Sequence, residues 1–163
     1  MGPELRVPLP EDADRWCALF DDPEVMRFIG AGEVRDRAYY ADLVGRQREL
    51  AERTGLCLWS AVVDDEVAGF AGIHPWSHPW GPTGELEAGW RLGRGYWGRG
   101  LATAAAREAV DRARARGVPR LVSMVARGND ASAAVARKVG MAPTRSHRSP
   151  DGAVVDEFGL LLD

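Results

Sequence analysis

The segment Trp90-Arg-Leu-Gly93-Arg-Gly95-Tyr-Trp97-Gly98-Arg99-Gly100-Leu-Ala-Thr103 decides the fold of this chain. Before it, Leu86–Leu92 reads as a strand. After it, Leu101–Arg116 reads as a helix whose Ala102, Ala105, Ala106, Ala109 and Ala113 form a narrow small-residue face, suited to close packing on a sheet. Gly117 and Pro119 end that helix. The glycines at 93, 95, 98 and 100 let backbone N–H groups turn together toward the helix start, where the dipole favours an anion. The expected ligand therefore carries phosphate.

Three phosphate loops compete for this pattern. A nucleoside-triphosphate loop needs Gly-Lys-Ser/Thr, and the single lysine, Lys138, is followed by Val139. That reading fails. Gly93-x-Gly95-x-x-Gly98 matches the dinucleotide fingerprint in letters. It would bury Gly100 inside the helix at a cost of about 1 kcal/mol relative to Ala. It also lacks a carboxylate on a second strand roughly 20 residues later, since Asp111 falls within the helix. The third reading extends the loop through Gly100 and starts the helix at Leu101 or Ala102.

Outward from this segment, strands and helices are mixed along the chain. Leu5–Leu9 reads as a strand, and Ala13, Trp16, Cys17 and Phe20 recur at helical spacing. Asp22-Pro23 caps a short turn carrying Val25, Phe28 and Ile29, and a longer helix is expected from about Arg35 to Arg53, ending at Thr54-Gly55. Leu56–Val63 and Val67–Ile73 flank Asp64-Asp65-Glu66 as a hairpin, and His74–Gly84 reads as a loop rich in Pro, Trp and His. Leu121–Val125 is a strand. Asn129 or Asp130 caps a helix ending at Gly140, and the tail from Ala142 to Leu162 forms a hairpin around Ser149-Pro-Asp-Gly152. These elements predict one α/β domain over 1–163, with helices flanking a mixed sheet.

Composition narrows the function. With 45% hydrophobic and 28% charged residues the chain is an ordinary globular domain, with no apolar run of membrane-spanning length and no signal-peptide layout in Met1–Pro10. Cys17 and Cys57 sit in apolar settings and read as reduced core thiols, so a cytoplasmic location is expected. Residues 91–148 hold 13 Arg/Lys against three acids, whereas residues 1–90 hold 17 acids against eight arginines. A basic half that begins at the glycine loop suits a polyanionic ligand; the acidic half suits a cationic partner. An overall charge of −3 and the lack of a recognition motif argue against nucleic acid.

Trp97-Gly98-Arg99-Gly100-Leu101-Ala102 resembles motif A of the GNAT N-acetyltransferase superfamily, with Trp97 in place of the usual Gln/Arg. The longer Tyr96-Trp97-Gly98-x-Gly100-x-Ala102-Thr103 looks like the branch of ribosomal-protein N-terminal acetyltransferases. Asn129-Asp-Ala-Ser132 through Lys138-Val-Gly140-Met141 resembles a second superfamily segment. Asp22–Phe28 and Glu87-Ala-Gly-Trp90 match more weakly. The resemblance covers nearly the whole chain in order.

It implies a single GNAT-like domain whose parallel strands Leu86–Leu92 and Leu121–Val125 splay apart around acetyl-CoA, with no metal. The pantetheine arm would pair with backbone near Trp90 and Leu92. N–H groups over Trp97, Gly98, Arg99, Gly100, Leu101, Ala102 and Thr103 would take the pyrophosphate, with charge from Arg94 and Arg99 and a contact from Asn129. A backbone N–H of the Trp90–Leu92 strand would stabilise the oxyanion. For the leaving thiolate many relatives use a Tyr, at a position where this chain has Ala136. Ser132 with Asn129 is the substitute, against simple capping of that helix. Glu87 is the first choice of base, against an ion pair with an arginine, and His74 the second. Trp76, Trp80, Phe28 and Tyr39 or Tyr40 are candidates for an apolar acceptor wall. The acceptor is a small-molecule amine or a peptide N-terminus, and a homodimer is compatible with the chain. Two other classes stay open: an acyl-CoA-binding sensor without turnover, and a dinucleotide-dependent oxidoreductase.

Overall fold

The computed structural model describes residues 2–163. β1 (Glu4–Arg6) stops short of the expected strand over 5–9 because Pro8 has no N–H for a ladder. α1 (Asp12–Phe20) follows, then α2 (Pro23–Met26), which starts where the Asp22 side chain accepts the Glu24 N–H at 3.0 Å. α3 (Arg37–Thr54) begins two residues later than expected, since Asp36 caps it by accepting the Tyr39 N–H at 2.9 Å. β2 (Leu58–Val63) and β3 (Glu66–Pro75) turn through Asp64 and Asp65, both left-handed at φ 51° and 65°. β3 runs two residues past its expected end. His74 therefore lies on a strand and not in a loop.

β4 (Leu86–Leu92) leads through a 3-10 turn, Arg94–Tyr96, into α4 (Leu101–Ala115). Then come β5 (Arg120–Ala126), α5 (Asp130–Lys138), β6 (Ala142–Arg148) and β7 (Val154–Leu161). The seven strands form one sheet in the order β1-β2-β3-β4-β5-β7-β6. Every neighbouring pair is antiparallel except β4 and β5, which are parallel and in register only at Glu87 and Val122. This is the mixed sheet with a splayed parallel pair that the sequence predicts.

Each face of the sheet has its own core. On one, α1 and α3 bring Trp16, Phe20, Tyr40 and Val44 onto Leu58 and Phe70. On the other, Ala105, Ala109 and Ala113 of α4 lie buried against Ala71, Ile73, Ala88 and Leu121. The small side chains let the α4 backbone approach the sheet, which fixes its N-terminus at the end of β4. Among the described residues no helix is long and apolar enough to cross a membrane.

Two buried carboxylates tie the sheet to its surroundings. Burial alone would push the Asp12 carboxyl up, but hydrogen bonds from Arg6 (2.6 Å), Ser60 (2.7 Å) and the Leu9 N–H (2.9 Å) outweigh it and hold it below the ordinary range. Glu157 behaves alike: burial is outweighed by His147 (2.8 Å) and Arg145 (3.1 Å), with Thr144 adding a bond. Because both folded-state values lie below the unfolded ones, these groups add stability in full above about pH 5 and lose it progressively as pH falls below about 4 toward their folded-state values. Asp12→Asn with Glu157→Gln should cost about 2–4 kcal/mol at pH 7 and flatten the acid decline of the urea midpoint. An acid slope identical to that of the parent protein would show the stabilising carboxylates to be elsewhere.

Candidate functional site

The site is built where β4 and β5 part. The Gly93 N–H donates to the Ala68 oxygen on β3, 2.9 Å away. Main-chain groups alternate sides along a strand, so Arg91, Gly89 and Glu87 also face β3, whereas Trp90 and Leu92 face the opening toward β5. The Trp97 indole N–H donates to the Leu92 oxygen at 3.0 Å and closes the end of the opening, so Leu92 offers an incoming chain less than Trp90 does. Trp97 is itself 47% exposed.

The loop beyond β4 holds the second part. Gly98 and Gly100 lie at φ +72° and +74°, with nothing within 4 Å of where a Cβ would stand. Gly100 is the N-cap of α4 and supplies no side-chain cap. The Trp97 N–H bonds back to Arg94 and the Ala104 N–H to Gly100, each at 3.1 Å. Between them, among the described residues, no N–H from Gly98 to Thr103 has an acceptor. A run of unpaired donors at the positive end of a 15-residue helix is a cradle for phosphate oxygens. Arg99 is exposed beside it. Arg94, expected to supply charge here, is instead bound to Asp22, with Nε 2.8 Å from Oδ2, because Asp22 projects from the α2 cap.

Glu87 and His74, rivals for one role in the sequence, are brought together. They are opposite one another in the β3–β4 register, with His74 Nε2 3.1 Å from Glu87 Oε1. The other carboxylate oxygen accepts the Met124 N–H at 3.1 Å, spanning the opening between β4 and β5. Among the described residues no arginine pairs with Glu87; Glu85 pairs with Arg120 at 3.3 Å. Glu87 is 12% and His74 28% exposed. With both Glu87 oxygens accepting, a neutral His74 donates from Nε2 and keeps a lone pair on Nδ1. That is the arrangement of an oriented base.

On α5, the Asn129 side-chain oxygen accepts the Ser132 N–H at 3.3 Å and caps the helix, while the Ser132 hydroxyl has no recorded partner among the described residues. Ala136 is fully buried. Of the aromatic candidates, Tyr40 is buried beneath Phe20, with centroids 5.7 Å apart, and does not line an open wall. Trp76 and Trp80 meet edge to face at 5.1 Å, with His78 tilted against Trp76 at 4.6 Å, so His78 and His74 serve different neighbours. Phe28 approaches Gly128 beyond β5. Burial pushes the Cys57 thiol up to about 12, which suits a core residue and not a nucleophile. Arg91, two residues beyond Gly89 on β4, has its guanidinium over the rings of Phe20 and Phe70.

Comparison with known proteins places this geometry. The chain is 30% identical over 103 residues to an uncharacterized N-acetyltransferase, p20, of Bacillus licheniformis; the match takes in 62% of this chain and 56% of that one. It superposes on RimL, a ribosomal L7/L12 alpha-N-protein acetyltransferase solved with coenzyme A, with a TM-score of 0.81 and 16% identity, over 98% of this chain and 93% of that one. The yncA protein of Salmonella typhimurium, solved with its cofactor acetyl-CoA, gives 0.77 and 16% over 99% and 94%. At these identities the two structures establish likeness of fold. Residues 4–142 match the family model for the acetyltransferase (GNAT) domain, and with a parallel strand pair open beside a glycine-capped helix, the chain belongs to that family.

Proposed function

We propose that the protein transfers the acetyl group of acetyl-CoA to a primary amine, with residues 1–163 acting as one catalytic domain. The unpaired N–H run from Gly98 to Thr103 carries this reading, because it fits the pyrophosphate of the coenzyme and opens directly onto the strand gap. The coenzyme thioester supplies the acetyl group: its C–S bond breaks as the amine N–C bond forms. The protein has four tasks. The backbone at Trp90 faces the opening and orients the donor, and its N–H stabilises charge on the carbonyl oxygen. Gly98 through Thr103 hold the phosphates, with Arg99 alongside. His74 Nδ1, oriented by Glu87, takes a proton from the amine, and Ser132 with Asn129 returns one to the sulfur. Cys17 and Cys57 are unpaired thiols, as suits the cytoplasm.

Hydrogen exchange with acetyl-CoA tests the assignment of the donor site. Protection is expected at amides 90 and 98–103. Protection elsewhere, or displacement by NADH, would overturn it. Ser132→Ala should lower kcat about 10- to 100-fold with an unaltered acetyl-CoA KM, below the usual upper range because water replaces a lost hydroxyl. An unchanged kcat removes Ser132 from the reaction. A sensor that binds acyl-CoA without turnover is the second reading. It draws on Ala136, buried and unable to donate a proton where many relatives place Tyr.

A further inference from the structure

Arg91 is a charged side chain near the site whose burial the acetyl-transfer chemistry above does not explain. It follows Gly89 on the same face of β4, in line with Glu87. Its guanidinium carbon lies 5.1 Å from the Phe20 ring centroid and 5.0 Å from that of Phe70. Nε and Nη1 are covered and have no hydrogen-bond acceptor, and among the described residues no carboxylate stands within ion-pair distance. Burial pushes its pKa below the ordinary arginine value, while Tyr40, through its charge and a side-chain hydrogen bond, and Tyr39 pull the other way. The residue as a whole is half-buried.

Aromatic faces account for the charge only in part: cation–π contact leaves the in-plane N–H groups without acceptors. An arginine with two donors, Nε and Nη1, covered and empty is costly in a folded protein unless something binds there. The neighbouring floor is open as well, since a Cβ at Gly89 would meet only Leu58 Cδ2 at 3.9 Å. Along β4 the His74–Glu87 pair, the open Gly89 position and Arg91 are therefore spaced two residues apart, about 6.6 Å per step. An amine resting over Gly89 lies between a base on one side and an unpaired cation on the other.

We propose that Arg91 selects the acceptor: the amine acetylated by this protein carries a carboxylate close to its nitrogen, as a free amino acid does, and that carboxylate binds the Arg91 guanidinium. The inference rests on the acetyltransferase reading and narrows its substrate class. It also reverses the expectation, drawn from the acidic N-terminal half, that a cationic partner is preferred.

The test is acetyl-CoA turnover with matched acceptors: free amino acids, the same amino acids as carboxamides, and peptides with a neutral second residue and an amidated C-terminus. The acids should exceed their amides at least 30-fold in kcat/KM. Arg91→Met, which keeps an apolar stem between Phe20 and Phe70, should bring that ratio to near one, mainly through a loss of about 100-fold on the acids. Arg91→Lys, which restores the charge, should recover part of the preference and keeps the test informative if the Met variant does not fold. Equal rates on acid and amide with the parent protein, or faster turnover of amidated peptides, overturn the inference alone. Bound acetyl-CoA with no CoA release on any acceptor overturns the acetyltransferase reading, and this inference with it.

Discussion

Glutamine in place of Glu87 is expected to lower kcat/KM about 10²- to 10³-fold while leaving acetyl-CoA affinity nearly unchanged. The reason is a tautomer. In the parent protein both carboxylate oxygens accept, one from His74 Nε2 and one from the Met124 N–H. In Glu87→Gln the amide oxygen remains with Met124, because only it can accept there. The amide NH2 then faces the imidazole as a donor and draws the lone pair to Nε2. The ring proton moves to Nδ1, the nitrogen assigned to the amine. Shape and packing are conserved, so melting temperature should shift little. His74→Gln should cost a similar factor, and the double variant little more than either single one, since the two act as a unit. A Glu87→Gln enzyme with parental activity and an unaltered pH–rate profile would move the base elsewhere.

Valine at Gly100 should have the next largest effect, raising the acetyl-CoA KM about 10- to 100-fold with a smaller change in kcat. Gly100 sits at φ +74° with free space around it, so the obstacle is conformational and not a clash. A β-branched residue there costs about 1–3 kcal/mol, which the loop relieves by rotating out of the left-handed region. That rotation turns the donors from Gly98 to Thr103 away from one another. Leu101 aside, the core contacts of α4 lie further along the helix, from Ala105 to Ala113, so the fold should persist and acceptor KM should hold. A KM for acetyl-CoA within about 2-fold of the parent would mean that the phosphates bind elsewhere.

The fold was legible where the chain carries local punctuation. β4 and α4 fall where Gly93, Gly100, Gly117 and Pro119 mark their limits, and the β2–β3 turn where Asp64 and Asp65 tolerate left-handed backbone. Errors arose where proline or a choice of caps gave ambiguous signals. Pro75 suggested a loop, yet it ends β3 opposite Leu86, and this moved His74 onto the sheet. Asp36 outcompeted its neighbours as the cap of α3.

The candidate site divides in the same way. Its loop is a contiguous sequence with its own backbone demands and was readable. The pairing of His74 with Glu87, the diversion of Arg94 to Asp22 and the ring-covered Arg91 join residues 13 to 72 positions apart. Such contacts depend on strand register, which no local pattern specifies. The Glu157 cluster was missed for the same reason: β6 and β7 place Arg145 and His147 on it only once paired.

The role proposed for the cradle and gap is to hold acetyl-CoA for transfer to an amine. Its most direct test mixes the protein with acetyl-CoA and a panel of small amines, amino acids, aminoglycosides and N-terminal peptides, following CoA thiol release and acetylated product by mass spectrometry. Amine-dependent release of CoA is expected, one per N-acetyl product formed. Saturable acetyl-CoA binding with no product from any amine would contradict it.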